Sequence, residues 1–126
     1  AVLQVAGNHI AMPRLSEFLG VFMLVFTVSC NVMAGSGAAA LSIACSLSAM
    51  IYALGDVSGG HFNPAVSCAV LLSGRDKDFT GKKAALYFVV QTVAGIVAAL
   101  IAVGIFGQRT GVFGAKAPYG LTQALL

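Results

Sequence analysis

Asn63-Pro64-Ala65 joins residue types suited to starting a helix where a polar group must stay available. The side-chain oxygen of asparagine can accept an N–H from the first helical turn. Proline suits the next position, because its missing N–H would have had no partner there. Pro64 to Ser73 then reads as an apolar helix stopped by Gly74. About ten residues cover roughly 15 Å, too little to cross a bilayer but enough for a re-entrant half-helix. Its positive end would lie inside the membrane, where it can hold a polar oxygen and disfavours a cation. The preceding stretch, Asp56 to Asn63, reads as irregular and glycine-rich. Irregular backbone is tolerated at membrane depth where it lines a water-filled cavity. Gly59 and Gly60 would turn their carbonyls toward that cavity, as a ladder of acceptors leading to a donor on Asn63. Such a ladder suits single-file passage of neutral hydrogen-bonding molecules such as water. In isolation, Asn-Pro-Ala is an ordinary helix cap; the membrane setting is what favours the pore reading.

Other chemistries find little support. Cys30, Cys45 and Cys68 form no CxxC pair and have no metal-ligand spacing, so they read as small apolar packing residues. His61 has no histidine, cysteine or carboxylate at metal-site spacing. It reads as a polar wall residue with its ring bonded locally, although histidine titrates near neutrality and a pH response is the sharper alternative. Gly59-Gly60 has neither the lysine nor the strand-to-helix context of a phosphate loop. No nucleophile arrangement or acid–base set is visible. The expectation is therefore no enzyme, no cofactor and no metal. The net charge of +3 does not suggest nucleic-acid binding, because the basic residues are scattered or lie beside apolar segments.

The elements that must position this segment are membrane spans. Of the 126 residues, 59% are hydrophobic and 9% charged, against about 25% charged in an ordinary soluble domain. Mean hydropathy is +0.95. No charge occurs between Glu17 and Asp56, and a second uncharged run extends from Ala84 to Gln108. The stretch from Phe18 to Gly55 would measure roughly 57 Å as one helix, while the hydrocarbon core is about 30 Å thick. Two spans are needed, with the turn at Gly35-Ser36-Gly37. The expected elements are an arm over 1–13, spans near 14–35, 38–54 and 84–106, the half-helix 64–73, and a polar loop over 107–126. A chain this short cannot enclose several wholly apolar helices as a soluble core, so the bilayer itself is the expected partner. Arg14, Arg75, Lys77, Lys82 and Lys83 fall on one side and Arg109 and Lys116 on the other, which places the N-terminus in the cytoplasm.

The stretch from Ser58 to Val66 resembles the first signature loop of the major intrinsic proteins, the aquaporins and aquaglyceroporins. Glu17 to Phe22 is similar to that family's first-helix opening. Gln91 to Gly95 is similar to its third-helix packing segment, and Gly120 to Leu126 to the approach to its fourth helix. The resemblance implies an all-α polytopic fold of six spans and two half-helices in an inverted repeat. Only the first repeat is matched here: three spans and one re-entrant half-helix. The sequence is expected to be partial, with a second repeat after Leu126; a natural half-channel that dimerises is the alternative. The resemblance further implies passive conduction, chiefly of water, with glycerol and other small neutral solutes as the broader alternative, and a homotetramer with one pore per subunit. A non-conducting structural membrane subunit is the reading from a different class.

The resemblance also distributes roles, and it implies that His61 lines the cytoplasmic vestibule with its backbone carbonyl in the acceptor ladder beside those of Gly59 and Gly60. Glu17 would hold the signature loop by accepting its backbone N–H groups; otherwise it is an interfacial charge. Gln91 would hydrogen-bond across helices beside the loop, since an unpaired amide in hydrocarbon is costly. Val66 and Leu71 read as packing and pore-wall residues of the half-helix, with Val66, directly after the motif, the better candidate for a narrow apolar wall. Ile43 falls at the helix-two position of the family's outer filter. Isoleucine there is apolar and less bulky than an aromatic, which loosens strict water selectivity; the plainer reading is a packing residue. Asp56 is expected to face the cytoplasmic vestibule.

Overall fold

The computed structural model describes the backbone of residues 2–107, with side chains from Ala11 onward. Among these residues it is all α: α1 Val2–Ala34, α2 Ala39–Ser58, α3 Pro64–Ser73 and α4 Gly81–Phe106. Three segments are long and apolar enough to cross a membrane, Ala11–Ala34, Ala39–Ser58 and Gly81–Phe106, and α3 is a shorter apolar helix. This is the architecture expected from the two uncharged runs and the short segment between them. The features expected over 108–126, including Arg109, Lys116 and the approach to a fourth span, lie outside the described residues.

The helix boundaries differ from the sequence expectation in instructive ways. Residues 2–13, expected as an arm, continue α1, with Pro13 inside the helix. Proline removes one backbone donor, but that loss does not end the helix. Ser16 adds a local bond, its hydroxyl donating to the Met12 carbonyl at 2.9 Å. Helix α2 continues beyond residue 54 because Gly55 remains helical and its carbonyl accepts the Gly59 N–H at 2.8 Å. The stop comes at Gly59, whose φ of 91° is open to glycine at little cost. Asp56 is thereby the exposed last turn of a helix rather than part of the irregular loop. Helix α4 starts at Gly81, so Lys82 and Lys83 stand in its first turn.

The turn between α1 and α2 lies at the expected glycines. Gly35 has φ 63°. Its N–H bonds to the Val32 carbonyl at 3.2 Å, and the Ser36 N–H bonds to the Asn31 carbonyl at 3.0 Å. This pair of bonds is a Schellman closure, which satisfies carbonyls at the end of α1.

Helix α1 is the centre of the packing, contacting both α2 and α4, while α3 packs on α4. The α4 face is a small-residue stripe: Ala94, Ala98 and Ala102 are each fully buried. Small side chains let helices approach closely, which is the main source of packing energy in lipid. The α1–α2 seam is instead polar. Thr27 donates its hydroxyl to Ser46 at 3.2 Å, and the Asn31 amide donates to the Ser42 hydroxyl at 3.0 Å.

Candidate functional site

Glu17 sits one turn into the apolar part of α1 and is completely buried. Both of its oxygens act as acceptors. Oε1 receives the Ser58 hydroxyl at 2.7 Å and the His61 N–H at 3.0 Å. Oε2 receives the Phe62 N–H at 2.7 Å and the Gln91 amide at 2.8 Å. A buried carboxylate is costly unless its lone pairs are filled, and these four donors fill them. Hydrogen bonds to a charged group contribute about 1.5–3 kcal/mol each. The loop 59–63 is therefore fixed from behind by one side chain of α1.

The anchor extends into α3 and α4. The same Gln91 nitrogen also donates to the Ser67 hydroxyl at 3.1 Å, which lies 3.0 Å from His61 Nδ1. Tyr87 donates its hydroxyl to the Ser58 carbonyl at 2.8 Å. The His61 ring packs edge-on against Phe79 and Tyr87, with ring centroids 4.7 and 5.4 Å away. Gln91 Oε1 is the exception, a buried acceptor with no partner among the described residues.

Phe62 carries the loop's strain. Its φ is 45°, a left-handed value that costs a non-glycine residue about 1–3 kcal/mol. The offset is burial: its ring is 2% exposed and clusters with Val21 and Ala94. Gly20 makes room for it. A Cβ at Gly20 would overlap the Phe62 ring, so no larger residue fits without displacement.

The other side of the loop is open. Asn63 is extended, with φ −159° and ψ 130°, and its Oδ1 accepts the Ala65 N–H at 2.8 Å. Pro64 follows at the first helical position, as the sequence suggests. Asn63, Ala65 and Val66 are exposed, Gly59 is exposed and Gly60 half-buried. Among the described residues, no protein donor is paired with the carbonyls of Gly59, Gly60 or His61. The N–H groups of His61 and Phe62 go to Glu17, and the Gly60 N–H goes to the Ser58 hydroxyl at 3.2 Å. Donors turn inward and acceptors are left free.

Glu17, Gln91, His61 and the loop glycines thus converge. Ile43 does not join them. It is half-buried near the start of α2, roughly 22 Å along the helix axis from Ser58 at 1.5 Å per residue. Sequence reasoning passed over Gly20, Phe62, Ser67 and Tyr87 as parts of this arrangement. Ser67 and Tyr87 carry a weak signal, as polar groups within apolar helices. Gly20 and Phe62 carry none individually, because their fit is between two distant segments. No group of three or more histidine, cysteine or acidic residues able to hold a metal occurs among the described residues.

Comparison with known proteins agrees with this architecture. A family model described as Major intrinsic protein matches residues 7–125. A glycerol uptake facilitator protein-like 6 from Lactiplantibacillus plantarum is 40% identical over 87 residues, which are 67% of this chain and 39% of that protein. An aquaglyceroporin from Toxoplasma gondii is 37% identical over 94 residues, covering 73% of this chain and 35% of its own length. An aquaporin Z from Photorhabdus laumondii is 36% identical over 105 residues, covering 76% and 44% respectively. The chain thus spans well under half the length of each of these relatives. No solved structure matches it.

Proposed function

Since the chain belongs to the major intrinsic protein family, we propose that it forms part of a passive membrane channel for small neutral solutes, glycerol as well as water. The observation that carries this reading is the two-sided loop. The N–H groups of Gly60, His61 and Phe62 are tied to Ser58 and Glu17, while the carbonyls of Gly59, Gly60 and His61 have no donor among the described residues and Asn63 is exposed. A solute that both donates and accepts can exchange its hydration for this sequence of sites. Val66 supplies an apolar wall beside them, so the few polar contacts decide what passes. Glu17 and Gln91 act as the loop's support.

The breadth of the solute range is supported from two directions. A glycerol facilitator and an aquaglyceroporin stand among the similar proteins. Ile43, proposed at the outer filter, is apolar and smaller than an aromatic ring, which suits a carbon-bearing solute. Water alone is the second reading, favoured by the similarity to an aquaporin Z. The proposed channel is completed by a second repeat with its own half-helix and works as a homotetramer.

The test is flux through the full-length protein reconstituted in liposomes. Glycerol and water should both equilibrate faster than in protein-free vesicles. Fast water with glycerol at the protein-free rate would replace this reading with the water-only one. Neither solute moving faster would count against a channel.

A further inference from the structure

A recess lies on the basic end of the bundle, behind the loop. It is a cleft of about 490 Å³ between Pro13 and Arg14 of α1, the end of α2, the 74–80 connection and the start of α4. Its polar lining is unbalanced: Arg14, Lys82 and Lys83 face it, with Asp76 as the one carboxylate among the lining residues. Asp76 is partly occupied, since its Oδ1 accepts the N–H groups of Asp78 at 2.9 Å and Phe79 at 3.2 Å. Lys82 and Lys83 stand in the first turn of α4, where the helix dipole disfavours cations. An anion in the cleft would offset both the mutual repulsion of the three cations and that unfavourable position.

Between these charges the lining includes apolar side chains, beside the neutral polar Ser58, Thr80 and Tyr87. Pro13, Val57 and Leu86 belong to the three spanning helices, and Phe79 comes from the connection. A free anion has no use for such walls, whereas a phosphate joined to a glycerol backbone and acyl chains does. The height is also suitable: the cleft sits where charged residues meet the apolar helices, at the level of lipid headgroups. Cationic residues there attract anionic lipid, at about a fivefold gain in binding for each lysine or arginine.

We propose that this cleft binds the phosphate of an anionic phospholipid, with Arg14, Lys82 and Lys83 as its ligands. The bound lipid stands directly against the loop anchor. Ser58 and Tyr87 line the cleft; Ser58 donates to Glu17, and Tyr87 holds the Ser58 carbonyl. Occupancy therefore braces the wall from which the loop hangs.

The experiment is native mass spectrometry of the full-length protein taken from mixed phosphatidylglycerol and phosphatidylcholine membranes. Phosphatidylglycerol should be retained selectively. Lys82→Gln with Lys83→Gln should lower that retention about thirty-fold. Arg75→Gln with Lys77→Gln, which removes two cations of the same end from outside the cleft lining, should leave most of it. Oligomeric state and water flux in pure phosphatidylcholine check that the variants fold. Three results would overturn the proposal. These are equal retention of phosphatidylcholine, an equal loss in both double variants, and displacement of the lipid by millimolar inorganic phosphate, which would indicate a site for the free ion.

Discussion

The two faces of the 59–63 loop are built on opposite rules. On the rear face every polar group has been given a partner, with the sole exception of Gln91 Oε1 among the buried side-chain atoms described. On the front face the carbonyls of Gly59, Gly60 and His61 have none among the described residues, and Asn63 is exposed. Rigidity and availability are thereby separated. A loop that bonded its own carbonyls would be equally well ordered but would have nothing to offer a solute. A loop with free donors as well as free acceptors would be less firmly fixed. Tying the His61 and Phe62 donors to one carboxylate and the Gly60 donor to Ser58, while leaving the acceptors open, satisfies both needs.

Removing the rear anchor should have the largest effect. Glu17→Ala strips four donors of their acceptor at once. We expect a loss of about 3–5 kcal/mol, as when one side of a buried charged network is deleted, with poor recovery of folded protein. Thermal unfolding in detergent measures it. Next is Gly20→Ala, which drives a methyl group into the Phe62 ring. Overpacking of this kind costs about 1–3 kcal/mol, and flux should fall as Phe62 moves the loop. An unchanged melting temperature would show that the ring has another place to go.

A change to the front face should reverse that profile. Asn63→Ala removes the cap accepted from Ala65, at a cost of about 0.5–2 kcal/mol, while solute flux should fall far more than stability does. Asn63→Asp keeps the acceptor and loses the amide donor; it separates capping from conduction if flux falls while stability holds. The smallest effect is expected from Tyr87→Phe, which deletes one bond to the Ser58 carbonyl. A loss of about 0.5–1.5 kcal/mol, with solute selectivity unaltered, would place Tyr87 wholly on the rear face. A change in selectivity would join the two faces that the geometry separates.

The same division explains what could be read from the sequence. The spans follow from charge-free length, and the cap on α3 follows from Asn63 and Pro64 alone, since both are local properties of the chain. Gly74 stops α3 where its backbone is left-handed, with φ 61°, which is again local. The helical continuation over 2–13 was not legible, because Pro13 signals a start in sequence and is carried inside the helix in three dimensions. The end of α2 was misplaced because two glycines, Gly55 and Gly59, compete as stops, and only the second adopts a positive φ. Ser67 and Tyr87 acquire meaning only when α3 and α4 pack together. Phe62 and Gly20 are matched to each other across two elements, and a single sequence does not display that kind of fit.

The distance in sequence between Glu17 and its partners bears on how the chain is made. The seam of Thr27, Ser46, Asn31 and Ser42 joins two neighbouring helices and can form as soon as both have left the ribosome. Glu17 must wait. Its bonds reach 41, 44 and 45 residues ahead to Ser58, His61 and Phe62, and 74 residues ahead to Gln91. During synthesis the first span therefore enters the bilayer ahead of the segments that hold the partners of its carboxylate. The last of them arrives only with α4, so insertion of that helix is the step that locks the half-helix in place.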